Sequence, residues 1–329
     1  MRLVVAIGRS VLLRRGATLP EGGRAAVRAL ARHIAALAPS HELVIAFGAG
    51  PQSGLLALEG AAQVHHVELG SLEMQAAHLE LALAYMLEQE LRATLPHDRI
   101  VASLLVTVAV DPADAAFGTP DAAVGPAYLR EEARHLARRK GWAFQSDGEQ
   151  CRRVVARPAP NHIAELRAIE QLLDSGAVVI AAGGSGLPVP GADGGDRFDS
   201  IGCVVDTDLA AATLARDVGA DMLILLAAGD AVYLDWGTPW QRAIRRASPD
   251  CLSDRLFHQG SIASKIAAAC RFAAATGLPA AIGTPSDLDR IMDGTAGTIV
   301  SGSESSLVLA EAASVAPQGS EALHDASGS

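Results

Sequence analysis

A chain of 329 residues with a formal net charge of −10, half of it apolar and only 4% aromatic, has room for one large α/β domain or two smaller ones. The acidic balance excludes the basic stripe that a nucleic-acid partner requires, and no apolar run approaches the length of a membrane span. Four cysteines (Cys151, Cys203, Cys251, Cys270) show no Cys-x-x-Cys or Cys/His spacing, which fits reduced, partly buried thiols of a cytoplasmic protein.

Along the chain, short apolar runs alternate with segments of helical period. The opening "LVVAIG" is followed by arginines rather than a small-residue cleavage site, so it reads as a strand and not as a signal peptide. "HELVIAFGAG" is a strand reaching Phe47, "RIVASLLVTVAV" one strand ending at Asp111-Pro112, and "GAVVIAAGGSG" a strand that enters a glycine loop. "ADMLILLAAGDAVYL" and "LPAAIG" supply later strands. Helical period marks 22–37, 74–94, 128–139, 161–175, 208–218 and 262–275. Such alternation predicts an α/β fold: a three-layer αβα sandwich around a mostly parallel, doubly wound sheet, with ligands outside the carboxyl ends of the strands.

Two segments break the rhythm. Residues from about 112 to 160 are punctuated by Pro and Gly and richer in charge, with one amphipathic helix at 129–140, so they read as a subdomain inserted into a main domain of 1–301. From 302 to 329 the composition is Ser, Gly, Glu and Ala, which predicts a mostly disordered tail.

Three glycine clusters each follow a strand: Gly8, "GAGPQSG" from Gly48, and "GGSGLPV" from Gly183. One alone is weak, because glycine also ends strands for steric reasons. Three together suggest backbone amides converging on an anion. Neither a GxxxxGK[ST] phosphate loop nor a complete GxGxxG is present.

These glycines and several motifs resemble the carbamate kinases of the amino-acid kinase superfamily, from Leu3 to about Val300. "GAGPQSG" is similar to that family's Gly-Asn-Gly-Pro-Gln-Val-Gly, "TVAVDPADAAF" to its strand leading into the inserted subdomain, and "VGPAY" and "DGEQCRRVVARP" to later parts of that subdomain. "GGSGLPV" resembles its four-glycine loop, "VVDTDLAA" its Asp-Lys-Asp segment, and "DAVYL" its nucleotide-side strand. "GSIASKIAAACRF" resembles its Gly-Ser-Met-Gly-Pro-Lys helix start, and "GTAGTIV" its closing strand. The resemblance implies an ATP-dependent phosphotransferase that interconverts carbamate and carbamoyl phosphate. It also implies magnesium carried on the nucleotide and a homodimer.

Carried over residue by residue, Lys265 matches the family lysine about one helical turn after Gly260 and Ser261, leaning back toward a phosphate. Lysine is scarce in this chain, and an ordinary solvated helix lysine is the alternative. Asp206 matches an aspartate that organises the transferring phosphoryl group. Asp208 matches its partner on the nucleotide side, although its place before "LAAATLARDVG" reads better as a helix N-cap. Phosphate and substrate contacts fall to Gly8, Ser10, Gly48, Ala49, Gly50, Gly183, Gly184, Ser185, Gly186 and Thr207; nucleotide contacts fall to Asp208, Asp230, Tyr233, Gly260 and Ser261, with Tyr233 nearest the base.

Departures from the family concentrate on polar positions. The Gly-Gly-Asn of the first loop is Gly8-Arg9-Ser10, the second-loop asparagine is Ala49, and the lysine between the two aspartates is Thr207. A subdomain lysine appears as Ala122, a Thr-Asp pair as Ala227-Ala228, and a Ser-Gln-Gly as Leu79-Glu80-Leu81. Each lost charge-assisted contact typically costs about two orders of magnitude in rate. Arg9 either clamps a phosphate or carboxylate bidentately, as a third catalytic residue beside Lys265 and Asp206, or plugs the cradle, or is a surface arginine paired with one of the many carboxylates. Two functions therefore stand side by side. One is phosphotransfer from ATP to carbamate or a related small carboxylate. The other is an inactive pseudokinase that binds ligand and partners a carbamoyltransferase-type enzyme. His65, His66 and His258 lack ligand partners at metal spacing, and Trp236 and Trp240 read as core or rim packing.

Overall fold

The computed structural model describes residues 1–8, 11, 24–48, 72–183, 188–190, 202–253, 257, 261–304 and 306–310. Its first half runs β1 (Arg2–Ile7), α1 (Arg24–Leu37), β2 (Glu42–Phe47), α2 (Leu72–Thr94), β3 (Val101–Leu105), β4 (Val108–Val110), β5 (Ala122–Tyr128), α3 (Arg130–Lys140), β6 (Ala143–Asp147), β7 (Gln150–Val155) and β8 (Pro160–Ile163). Next come α4 (Leu166–Asp174), β9 (Val178–Ala182), β10 (Pro188–Pro190), α5 (Thr207–Asp217), β11 (Met222–Leu226), β12 (Val232–Leu234), β13 (Arg242–Ala247) and α6 (Pro249–Ser253). The last elements are α7 (Ser261–Thr276), β14 (Ala280–Gly283), α8 (Leu288–Met292), β15 (Thr298–Val300) and β16 (Val308–Leu309).

The central sheet has the order β12-β13-β15-β14-β11-β1-β2-β9-β3, with β16 beside β13. From β14 to β3 every pairing is parallel, and the antiparallel pairs sit toward the other edge. Continuous apolar runs make this possible, since each strand buries both faces. Leu3, Val5 and Ile7 point with Leu43, Ile45 and Phe47 into a core shared with α1 and α2. Their alternates Val4, Ala6, Val44 and Ala46 face the opposite layer of α4, α5 and α7. Period-2 strands clamped between amphipathic helices give the three layers that the composition implied.

Three element readings need correction. "RIVASLLVTVAV" is two strands, not one. After β3 the chain leaves the central sheet, Val106 N–H donates to Ala182 O (2.6 Å), and the Glu165 carboxylate accepts from Thr107 N–H (2.7 Å) and Thr107 Oγ1 (3.0 Å). β4 then joins a small sheet with β8 and β10. "ADMLILLAAGDAVYL" divides likewise into β11 and β12. The segment 161–175 opens as strand β8 before its helix begins at Leu166. Past residue 302, Val308–Leu309 pairs antiparallel with β13 and Ala310 N–H donates to Ala243 O.

Between β4 and β8 lies a separate antiparallel sheet, β5-β7-β6, carrying α3. Val110 pairs with Pro160, so the segment leaves and returns at neighbouring points. Among the described residues no helix is long and apolar enough to cross a membrane.

Candidate active site

Parallel register decides where the site lies. Leu226, Ile7, Phe47 and Ala182 stand opposite one another on β11, β1, β2 and β9, so Ala227, Gly8, Gly48 and Gly183 form the next row, just past the carboxyl ends of four adjacent strands. Gly183 has φ +120°, which a side chain would oppose. Gly8 is constrained by contact instead. Its N–H donates to Leu226 O (3.2 Å), and a Cβ built on it would stand 2.8 Å from both Leu226 O and the Lys265 ammonium.

That ammonium arrives from α7, one turn in from the helix start. Lys265 is 2% exposed, and its Nζ lies 2.6 Å from Asp208 Oδ1. Burying an ammonium is costly unless it is paired, and Asp208 pairs it. Burial pushes the Asp208 carboxyl above its ordinary value; Lys265 pulls it back down, and the neighbouring Asp206 charge adds to the rise.

The N-cap read at Asp208 needs correction. Asp206, not Asp208, is the N-cap of α5: its Oδ1 accepts from Asp208 N–H (3.0 Å) and Leu209 N–H (3.1 Å). Asp208 lies inside the first turn and turns to Lys265. The reason is where extended backbone ends, at Asp206 with ψ 121°, so helical geometry starts at Thr207. A contact unforeseen in the sequence completes the group: Ser264 Oγ donates to Asp206 Oδ1 at 2.5 Å.

The rim toward the other sheet edge carries Asp230 and Tyr233. Tyr233 OH donates to Asp230 Oδ1 (2.9 Å), its ring lies 5.1 Å from that of Trp236, and burial raises its phenol above the ordinary range. The hairpin of β12 and β13 is anchored by Thr298, which receives Val232 N–H and donates to Ile244 O, level with the end of β14. Trp236 and Trp240 are exposed, which settles them as rim and not core.

Lys265, Asp206, Thr207, Asp208, Gly8, Gly48 and Gly183 therefore converge on one end of the sheet. Ser261 opens α7 there. Arg9, Ser10, Ala49, Gly50, Gly184, Ser185, Gly186 and Gly260 lie outside the described residues, as do His65, His66 and His258. At positions where polar residues were looked for, Ala122 and Ala227 are buried, as is Glu80 on α2. All four cysteines are free thiols, and burial pushes Cys203 up to about 12 and Cys270 up to about 11.

Residues 1–284 match the amino acid kinase family. Over 309 residues, 93% of this chain and 95% of the relative, the chain is 44% identical to the carbamate kinase of Rhizobium meliloti (strain 1021). The chain belongs to the carbamate kinase family. A second carbamate kinase, from Haemophilus influenzae, is 42% identical over 91% of this chain and 96% of its own length. Among solved structures, carbamate kinase from Giardia lamblia bound to AMP-PNP superposes with a TM-score of 0.81 at 27% identity, covering 91% of this chain and 98% of that one. Relatives named carbamate kinase support a carbamate-kinase-like phosphotransferase and imply nucleotide use. The bare backbone at Gly8 is what lets the Lys265 ammonium lie against the turn, because a Cβ there would meet it at 2.8 Å.

Proposed function

We propose that the protein transfers a phosphoryl group reversibly between ATP and carbamate or a related small carboxylate, yielding ADP and carbamoyl phosphate. ATP, with magnesium carried on it, supplies the phosphoryl group. The observation that carries the proposal is the packing of the buried Lys265 ammonium against the Gly8 turn. Phosphoryl transfer asks the protein for position and positive charge more than for covalent chemistry. Lys265 holds that charge at a fixed point. Asp208 orients it, Asp206 fixes the start of α5, and the glycines at Gly8, Gly48 and Gly183 allow close backbone approach.

The rival reading, an inactive ligand-binding relative, draws on one feature. The cluster of Asp206, Asp208 and Lys265 holds two carboxylates against one ammonium, with Thr207 uncharged between them. Mixing the pure protein with carbamoyl phosphate, Mg2+ and ADP separates the two. ATP formation, reduced about 100-fold or more in Lys265→Ala, is the expected result. No ATP from the wild type, with Mg-ADP still raising the melting temperature, gives the site to binding alone.

The protein also works as a homodimer in this proposal. Met74, His78, Leu81 and Tyr85 line the outer face of α2 at heptad-like spacing, and three of them are exposed apolar side chains that a second copy would cover.

A further inference from the structure

Asp206 is the carboxylate that Lys265 does not serve. Lys265 Nζ bonds Asp208, and the residue between the aspartates is an uncharged threonine. A half-buried carboxylate in that position needs other donors. Three reach its Oδ1: the amides of Asp208 and Leu209 at 3.0 and 3.1 Å, from the helix it caps, and the Ser264 hydroxyl at 2.5 Å from another helix. Ser264 is the residue before Lys265 on α7. It stands where the Gly-Ser-Met-Gly-Pro-Lys motif has proline, which has no hydroxyl to give.

We infer that Ser264 is a positioning residue of the phosphotransfer site: its hydroxyl ties the start of α7 to the Asp206 cap of α5 and so sets where the neighbouring Lys265 ammonium sits beneath Gly8. The inference rests on the phosphotransfer reading for its kinetic form. The geometry is a short closed circuit. Asp206 caps α5, Asp208 in the next turn pairs with Lys265, and Ser264 joins the residue before Lys265 back to Asp206. The Ser264 hydroxyl also lies against the Asp208 carboxyl and draws its pKa down, yet it has one proton to donate. It therefore serves two carboxylates that carry one ammonium between them.

A hydrogen bond to a charged group is strong enough that losing it shows in rate. Lys265 keeps its partner Asp208 in Ser264→Ala and the two helices stay packed in one core, so ammonium and nucleotide both remain, but the first turn of α7 loses its tie to the Asp206 cap of α5. The expected effect falls on the transfer step and not on ground-state affinity.

The test compares wild type, Ser264→Ala and Ser264→Thr in ATP formation from carbamoyl phosphate and Mg-ADP, with the melting temperature and the Mg-ADP dissociation constant measured on each. In Ser264→Ala, kcat falls about 10–100-fold, KM for ADP stays within about two-fold, and Ser264→Thr restores kcat to within about three-fold of wild type. An unchanged kcat in Ser264→Ala overturns the inference. So does a loss that threonine fails to restore, or one that tracks a collapse in melting temperature, since either marks a merely structural serine. If the wild type itself forms no ATP, the phosphotransfer reading falls alone and amide hydrogen exchange in the first turns of α5 and α7 becomes the readout. Faster exchange there in Ser264→Ala with recovery in Ser264→Thr upholds the positioning role, and equal exchange in all three removes it.

Discussion

Replacing Lys265 by methionine keeps most of the buried stem and deletes only the ammonium. Asp208, 8% exposed, then loses the partner at 2.6 Å and stands as a buried charge without compensation. Breaking a buried pair from one side costs about 3–5 kcal/mol. In a domain of this size each kcal/mol moves the melting temperature by roughly 2–3 °C, so Lys265→Met is expected to fall by roughly 6–15 °C. Adding Asp208→Asn removes the orphan charge, and the double variant recovers about half or more of that loss, because a neutral amide is far cheaper to bury than an ion. Turnover behaves differently. Both variants lose about 100–1,000-fold, since neither has the ammonium. Differential scanning fluorimetry and a coupled ATP assay on the same samples decide it. A single variant as stable as wild type, or a double variant no better than the single, refutes the pairing and the energetics built on it.

Gly8→Ala would push a methyl to 2.8 Å from Leu226 O and the Lys265 ammonium, and a backbone carbonyl inside a parallel sheet cannot retreat cheaply. A cost of about 1–3 kcal/mol is expected, with a loss of turnover larger than that of any neutral surface change; chemical denaturation and the ATP assay check both. Tyr85→Glu places a charge at one end of the exposed apolar stripe on α2. Light scattering is expected to report half the wild-type mass, and an unchanged mass would move the interface elsewhere.

The sheet was legible because its strands are continuous apolar runs, which only a doubly covered sheet accommodates. The break inside "RIVASLLVTVAV" was not legible. Val106 and Thr107 are good strand formers, and what bends the chain is tertiary: Ala182 O takes one amide and the Glu165 carboxylate takes the next. β16 escaped for a similar reason, being two residues long and held by tertiary pairing with β13. Within the site, Lys265 and the glycine row were readable from strand ends and one rare lysine. The division of labour between Asp206 and Asp208 was not. Either suits an N-cap by type, and the choice turns on a lysine 57 positions away in sequence. Ser264 was invisible for the same reason, because nothing local distinguishes it from any serine in a first helical turn.

The central claim is that Lys265 addresses the phosphate chain of a nucleotide lying across the glycine row. Calorimetric titration of wild type and Lys265→Ala with Mg-ADP and with AMP tests it directly, because the two ligands share a base and differ in the phosphate that an ammonium at Gly8 would meet. Affinity for Mg-ADP is expected to fall about 10–100-fold in Lys265→Ala, while affinity for AMP stays within about three-fold. Equal weakening of both ligands, or no weakening of either, would contradict the claim.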